Sequence, residues 1–166
     1  MKKIYMFALS ALLLTACTQN KEVTCLLGNY TYKVSGVVTI DEVGDVHLMP
    51  ETGTMTLTNT DEDGEIIMSF NHNGGDVYDI LALVDSDGIY IEDMNRYIDV
   101  EVAQDTLLLG NIVKRQETFD VSVSGYGQRL SNGDISLTLS YEGQALNSDY
   151  TLEGDNIFVH CKRNAK

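Results

Sequence analysis

From Gly28 onward the chain repeats with a period of two residues. Tyr30, Tyr32, Val34, Gly36, Val38 and Ile40 alternate with Thr31, Lys33, Ser35, Val37 and Thr39. Ile98, Val100 and Val102 alternate with Tyr97, Asp99 and Glu101. Phe119, Val121 and Val123 alternate with Asp120, Ser122 and Ser124, and Ile135, Leu137, Leu139 and Tyr141 alternate with Ser136, Thr138 and Ser140. Successive side chains of a strand point to opposite faces. Strict alternation therefore means one buried face and one wet face, as in antiparallel sheets. No window carries a convincing helical period, so the mature chain is expected to be all-β and nearly helix-free.

Turn signals punctuate the alternation at short intervals: Asp61-Glu62-Asp63-Gly64, Asn73-Gly74-Gly75-Asp76, Asp85-Ser86-Asp87-Gly88, Asn132-Gly133 and Gly154-Asp155-Asn156. Asn, Asp and Gly supply the positive φ that tight hairpins need. Strands are expected near 29–41, 53–59, 65–72, 77–84, 88–92, 96–103, 106–114, 117–128, 134–142 and 149–161. The expected architecture is an antiparallel up-and-down meander of about 8–10 strands. Closing it into a barrel removes its edges; a two-sheet sandwich is the alternative. Ile80–Val84 and Leu107–Leu109 are apolar on both faces and call for a covering surface. The stretch from Asp41 to Thr52, with Pro50 inside it, is long enough to fold over a barrel mouth; a wandering surface loop is the other reading.

Before this domain stands a leader. Lys2 and Lys3 precede an apolar run from Ile4 to Leu14, broken by Ser10 and followed by Leu14-Thr15-Ala16-Cys17. A charged start, a short apolar middle and small residues before a cut site describe a secretory signal. The run is too short to cross about 30 Å of hydrocarbon. The last four residues resemble the bacterial lipobox. That resemblance implies cleavage between Ala16 and Cys17 and palmitate-type acylation of Cys17. With no Asp at position 18, similarity to the enteric sorting rule favours the outer membrane, lipid-anchored, on its periplasmic or cell-surface side. The expected division is a signal at 1–16, the lipidated Cys and a tether at 17–27, one domain at 28–163 and a tail at 164–166.

Charge limits the partners. The chain of 166 residues carries a formal charge of −14, and loss of Lys2 and Lys3 makes the mature form about −16. That field repels phosphate backbones, so nucleic acid is not an expected partner. It also gives no pull towards anionic lipid, leaving attachment to the acyl chains.

The Gly28-Asn29-Tyr30 opening of the first strand, the meander and the basic end at Lys162 and Arg163 together resemble the calycin/lipocalin group, and most of all the calycin-like lipoproteins of Bacteroidetes. In lipocalins the motif aromatic sits at the barrel floor and a late basic residue packs over it; Tyr30 and Arg163 (or Lys162) are the matching positions. Tyr replaces the usual Trp, and about ten strands exceed the lipocalin eight. The resemblance implies a cup for a small apolar or amphipathic ligand.

Catalytic signatures are thin: there is no Gly-x-Ser-x-Gly, His-Glu-x-x-His or Cys-x-x-Cys. No enzymatic function, cofactor or metal is expected. His47, His72 and His160 are scattered, as surface or rim residues usually are. Asp61, Asp63 and Glu65, like Asp85, Asp87 and Glu92, offer alternate oxygen ligands, but neither set completes a calcium loop. The plainer reading is hairpin turns. The inward set Tyr30, Tyr32, Phe70, Phe119 and Tyr141 either lines a ligand cup or fills the core; Tyr90, Tyr97 and Tyr126 fall on the outer set. Cys25 and Cys161, near the start and end of the meander, either form a disulfide or remain free thiols. The competing role is an accessory envelope lipoprotein with a filled core and a protein partner.

Overall fold

The computed structural model describes residues 21–165, apart from 74, 76, 109 and 110; the side chains of 104–108 and 111–113 lie outside the description. The signal, the Ala16–Cys17 junction and the lipidation site fall outside the described residues, as does any cover for Leu107–Leu109.

A short helix α1 (Lys21–Leu26) precedes ten strands: β1 (Gly28–Ser35), β2 (Val37–Ile40), β3 (Gly44–His47), β4 (Thr52–Asn59), β5 (Glu65–His72), β6 (Val77–Val84), β7 (Ile89–Leu108), β8 (Asn111–Arg129), β9 (Ile135–Ala145) and β10 (Thr151–Arg163). The sheet closes on itself. β1 and β4 to β10 pair antiparallel in that order, and β10 returns to β1 from Tyr30↔Arg163 to Ser35↔Phe158. The molecule is an eight-stranded, lipocalin-like, up-and-down barrel, and the sandwich alternative is set aside.

The extra strands expected from sequence are resolved in two ways. First, the stretch 41–52 is not irregular throughout: β2 continues β1 past Gly36, and β3 folds back on it from Val37↔His47 to Ile40↔Gly44. Second, 88–92 and 96–103 are one strand, and 106–114 is divided between β7 and β8. The gaps left between the expected strands 88–92, 96–103 and 106–114 sit at or beside bulges, where the β7–β8 register shifts between Ile91 and Met94 and between Gln104 and Leu107. A bulge absorbs extra residues without ending a strand.

These long strands build an arm. β7 has no register pair with β6 beyond Ile91, and β8 has none with β9 before Phe119. Past these points the two strands pair only with each other, out to Leu108↔Asn111. The arm rises from the end of the barrel where β5 stops and β6 starts. Its inner face carries buried Val100 and Val102.

The opposite end is closed. Val23 and Leu26, three apart on one face of α1, are buried against the barrel floor. Helix α1 falls within the stretch 17–27 read as a tether. Tyr30 Oη donates to the Leu26 carbonyl at 2.6 Å. Arg163 donates from Nη1 to the Cys25 carbonyl and from Nη2 to the Leu27 carbonyl, both at 2.8 Å. Its guanidinium lies 5.7 Å from the Tyr30 ring centre. Of the two late basic residues, Lys162 and Arg163, it is Arg163 that lies beside the Tyr30 ring. Gly28 opens β1 with φ of 143°, a conformation that favours glycine.

Between the two ends the barrel interior is packed. Tyr30, Met55, Ile66, Met68, Phe70, Ile80, Phe119, Ile135 and Leu137 are at most 1 % exposed. Each such side chain contributes about 1.5–3 kcal/mol of burial.

Candidate functional site

Above the filled core lies an open cavity of about 910 Å³. The segment Leu48–Glu51 between β3 and β4 forms one wall, the base of the arm at Arg96–Asp99 another. Of the stretch 41–52, Leu48–Glu51 therefore borders the mouth, whereas Gly44–His47 is strand β3. The cavity reaches the place where β6 and β7 separate: they share only the pairs Ala82↔Ile91 to Val84↔Ile89, so Val77 and Tyr78 have no β7 partner.

The rim is mixed. Met49, Val77, Tyr97 and Leu146 line the opening, and each is more than half exposed; Asp99 and Gln116 are the exposed polar residues beside them. Singly exposed apolar side chains need no explanation, but four of them at one concavity do.

The inner end is polar and ordered. Glu51 is its centre. Tyr32 Oη donates to Glu51 Oε1 at 2.7 Å and Tyr78 Oη to the same oxygen at 3.1 Å. Arg96 Nη2 approaches Glu51 Oε2 at 3.4 Å, and the guanidinium stacks 4.0 Å above the Tyr78 ring. Tyr78 in turn stacks on Phe70, whose other neighbour is Tyr32, edge-on at 5.0 Å. Gly53 permits this: a Cβ there would lie 2.9 Å from Tyr32 Cε1 and 2.1 Å from the Asn71 carbonyl. His72 Nδ1 lies 3.9 Å from Glu51 Oε1 and has no hydrogen-bond partner.

Electrostatics follow from burial. Desolvation pushes the hydroxyls of Tyr32, Tyr78 and Tyr141 above the usual tyrosine range, so all three remain neutral donors. Burial alone would lower the pKa of Arg96, but Tyr78, Tyr141 and Glu51 outweigh it and the net shift is upward. The guanidinium is charged at every working pH.

Comparison with protein-family profiles, with curated proteins and with solved structures finds no match for this chain. The site rests on its geometry.

Against that geometry, the five residues expected to face a ligand divide. Tyr141 lines the cavity, Tyr32 orients Glu51, and Phe70 is the buried spacer between two tyrosines. Tyr30 and Phe119 have no exposed surface; Tyr30 seals the floor, and Phe119, opposite Ile98 at the base of the arm, is buried without lining the cavity. Sequence reasoning missed Glu51, Tyr78 and Arg96. Parity held the signal for two of them. Extending the inward set Ile98, Val100 and Val102 back by two reaches Arg96, and extending Ile80, Ala82 and Val84 back by two reaches Tyr78.

The remaining candidates lie elsewhere. Asp85 Oδ1 accepts the backbone N–H groups of Asp87 and Gly88 at 2.7 and 3.0 Å, the geometry of a capped turn. Among the described residues no group of three or more His, Cys, Asp or Glu side chains is placed to hold a metal ion. A smaller cleft of about 270 Å³ sits under α1 beside this turn. Cys25 and Cys161 are both free thiols, so the disulfide alternative is corrected. The first and last strands are antiparallel neighbours, but Cys161 stands opposite Tyr32, up inside the barrel, whereas Cys25 lies in α1. Cys25 Sγ donates to the Glu22 carbonyl, and Cys161 Sγ contacts Met55 Sδ at 3.8 Å.

Proposed function

We propose that this chain is an outer-membrane lipoprotein whose barrel mouth binds a small amphipathic ligand, as a carrier or receptor rather than an enzyme. The observation that carries the reading is the cavity itself: about 910 Å³, with four exposed apolar side chains among its rim residues and an ordered polar cluster at its inner end. Sites for small molecules combine apolar walls with a few placed polar groups, in this size range. The packed barrel interior makes the cup shallow, which suits a molecule that leaves one end in solvent.

The lipobox supports the anchor. Three residues, Thr18 to Asn20, stand between Cys17 and Lys21, so four Cα–Cα steps span at most about 14 Å of extended chain. Since α1 closes the floor, acylation of Cys17 would hold the floor towards the bilayer and turn the mouth away from it. Cys17→Ala should release the protein from membrane pellets; retention after high-salt washing would refute the anchor.

The binding reading is tested by native mass spectrometry of protein purified from its own host. An added mass of a few hundred daltons, lost from a variant whose rim is blocked by Val77→Arg, is the expected result. A species equal to the processed polypeptide and its anchor alone contradicts the reading.

A second role has its own observation. On the outer face Ile67 pairs with Leu81, Leu83 with Tyr90, and Tyr90 with Tyr126. Leu81 and Leu83 are 51 % and 42 % exposed. This row is the surface on which an envelope protein partner would dock.

A further inference from the structure

The polar end of the cavity is built as a receptor for a carboxylate. Tyr32, Tyr78 and Arg96 stand on β1, β6 and β7, fixed by the barrel wall, and all three present donors to one point. The group they hold, the Glu51 carboxylate, belongs to the loop between β3 and β4. The Glu51 carbonyl accepts the Val34 N–H at 2.8 Å. Its backbone is therefore fixed, and only the side chain needs to swing for the carboxylate to leave.

We infer that Glu51 is a built-in occupant of an anion site, and that the ligand is a fatty-acid-like amphipath whose own carboxylate replaces it on Arg96, Tyr32 and Tyr78. This rests on the ligand-binding reading above and names its head group. A cationic head is disfavoured because it would meet the Arg96 guanidinium at contact, and both Glu51 oxygens already accept from donors. A dianionic head is disfavoured because only one full positive charge faces the site and the chain carries −14 overall. The apolar tail then lies along the rim residues Met49, Val77 and Leu146. The freed Glu51 side chain turns to solvent or towards His72, whose Nδ1 has no partner.

The test uses the chain from residue 17 onward with Cys17→Ser, so that no attached acyl group enters the cavity, and calorimetric titration below the micellar concentration. The probes are dodecanoate, dodecanol and dodecylamine. Glu51→Gln keeps the side chain's size but removes its charge, so dodecanoate should bind that variant about tenfold tighter, the scale of one charge-assisted hydrogen bond. Dodecanol should bind parent and variant alike. Arg96→Met should cost dodecanoate about tenfold or more, leaving dodecanol little changed. Tyr78→Phe, which keeps the aromatic stack, should weaken dodecanoate alone, and covers the case in which an Arg96 variant fails to fold. If dodecanoate and dodecanol bind equally, if the amine binds best, or if Glu51→Gln weakens dodecanoate, the head-group inference falls while ligand binding stands. If no probe binds parent or Glu51→Gln, both fall together.

Discussion

Single residues decide how each end of this barrel is finished. At the floor, Asp134 Oδ1 accepts the Arg163 N–H at 2.9 Å, and Arg163 holds the Cys25 and Leu27 carbonyls at the end of α1. That backbone hydrogen bond, with Asn132 and His160 adding to it against the opposing effect of burial, keeps the Asp134 carboxyl below its usual 3.8. A depressed carboxyl stabilises the fold above the unfolded value, and its contribution is lost as pH falls through the folded one. Asp134→Asn should therefore lower the melting temperature at pH 7, and the gap to the parent should close as pH drops below about 4. A gap that widens in acid would contradict the assignment.

The two thiols differ as sharply as their surroundings. Burial, with Asp134 adding to it, pushes Cys161 up to about 12, whereas Cys25 is partly exposed. At pH 8 native protein should take one alkyl group quickly, on Cys25, and a second only on unfolding. Denatured but unreduced protein should take both.

At the scale of elements, the alternation made the barrel strands legible because each has one wet and one buried face. What it hid were the places where chain and sheet cease to correspond. The bulges near Glu92–Asp93 and Gln104 broke the expected strands at 88–92, 96–103 and 106–114 because their polar residues interrupt the alternation, and only the pairing of β7 with β8 shows one continuous arm. Val23 and Leu26 are too few to declare a helical period, yet they close the floor. Tyr30 and Arg163 were legible through the lipocalin resemblance. The Glu51 network was not, since its members lie on four separate segments and only closure brings them together. Phe70 couples three strands here, packed between Tyr32 of β1 and Tyr78 of β6. Phe70→Ala should cost about 3–5 kcal/mol of stability by urea unfolding. It should also weaken ligand binding, because both tyrosines lose their support. Loss of stability with unchanged binding would show that the tyrosine hydroxyls are positioned without it.

The whole molecule has two unlike ends. The floor is sealed by α1, Tyr30 and Arg163, and the described chain begins there at Lys21. The mouth carries the arm, the β2–β3 hairpin and the cavity. Such polarity suits a lipid-anchored binder: attachment at one end, access at the other. The outer row of Leu81, Leu83, Tyr90 and Tyr126 offers a rival surface on the barrel wall, closer to the floor. The measurement that separates them is a backbone amide NMR titration of the acyl-free chain with dodecanoate. The account predicts shifts confined to the mouth, at Val34, Glu51, Tyr78, Arg96 to Ile98 and Leu146, with the floor undisturbed. Shifts clustered on the outer row, or none anywhere, would contradict it.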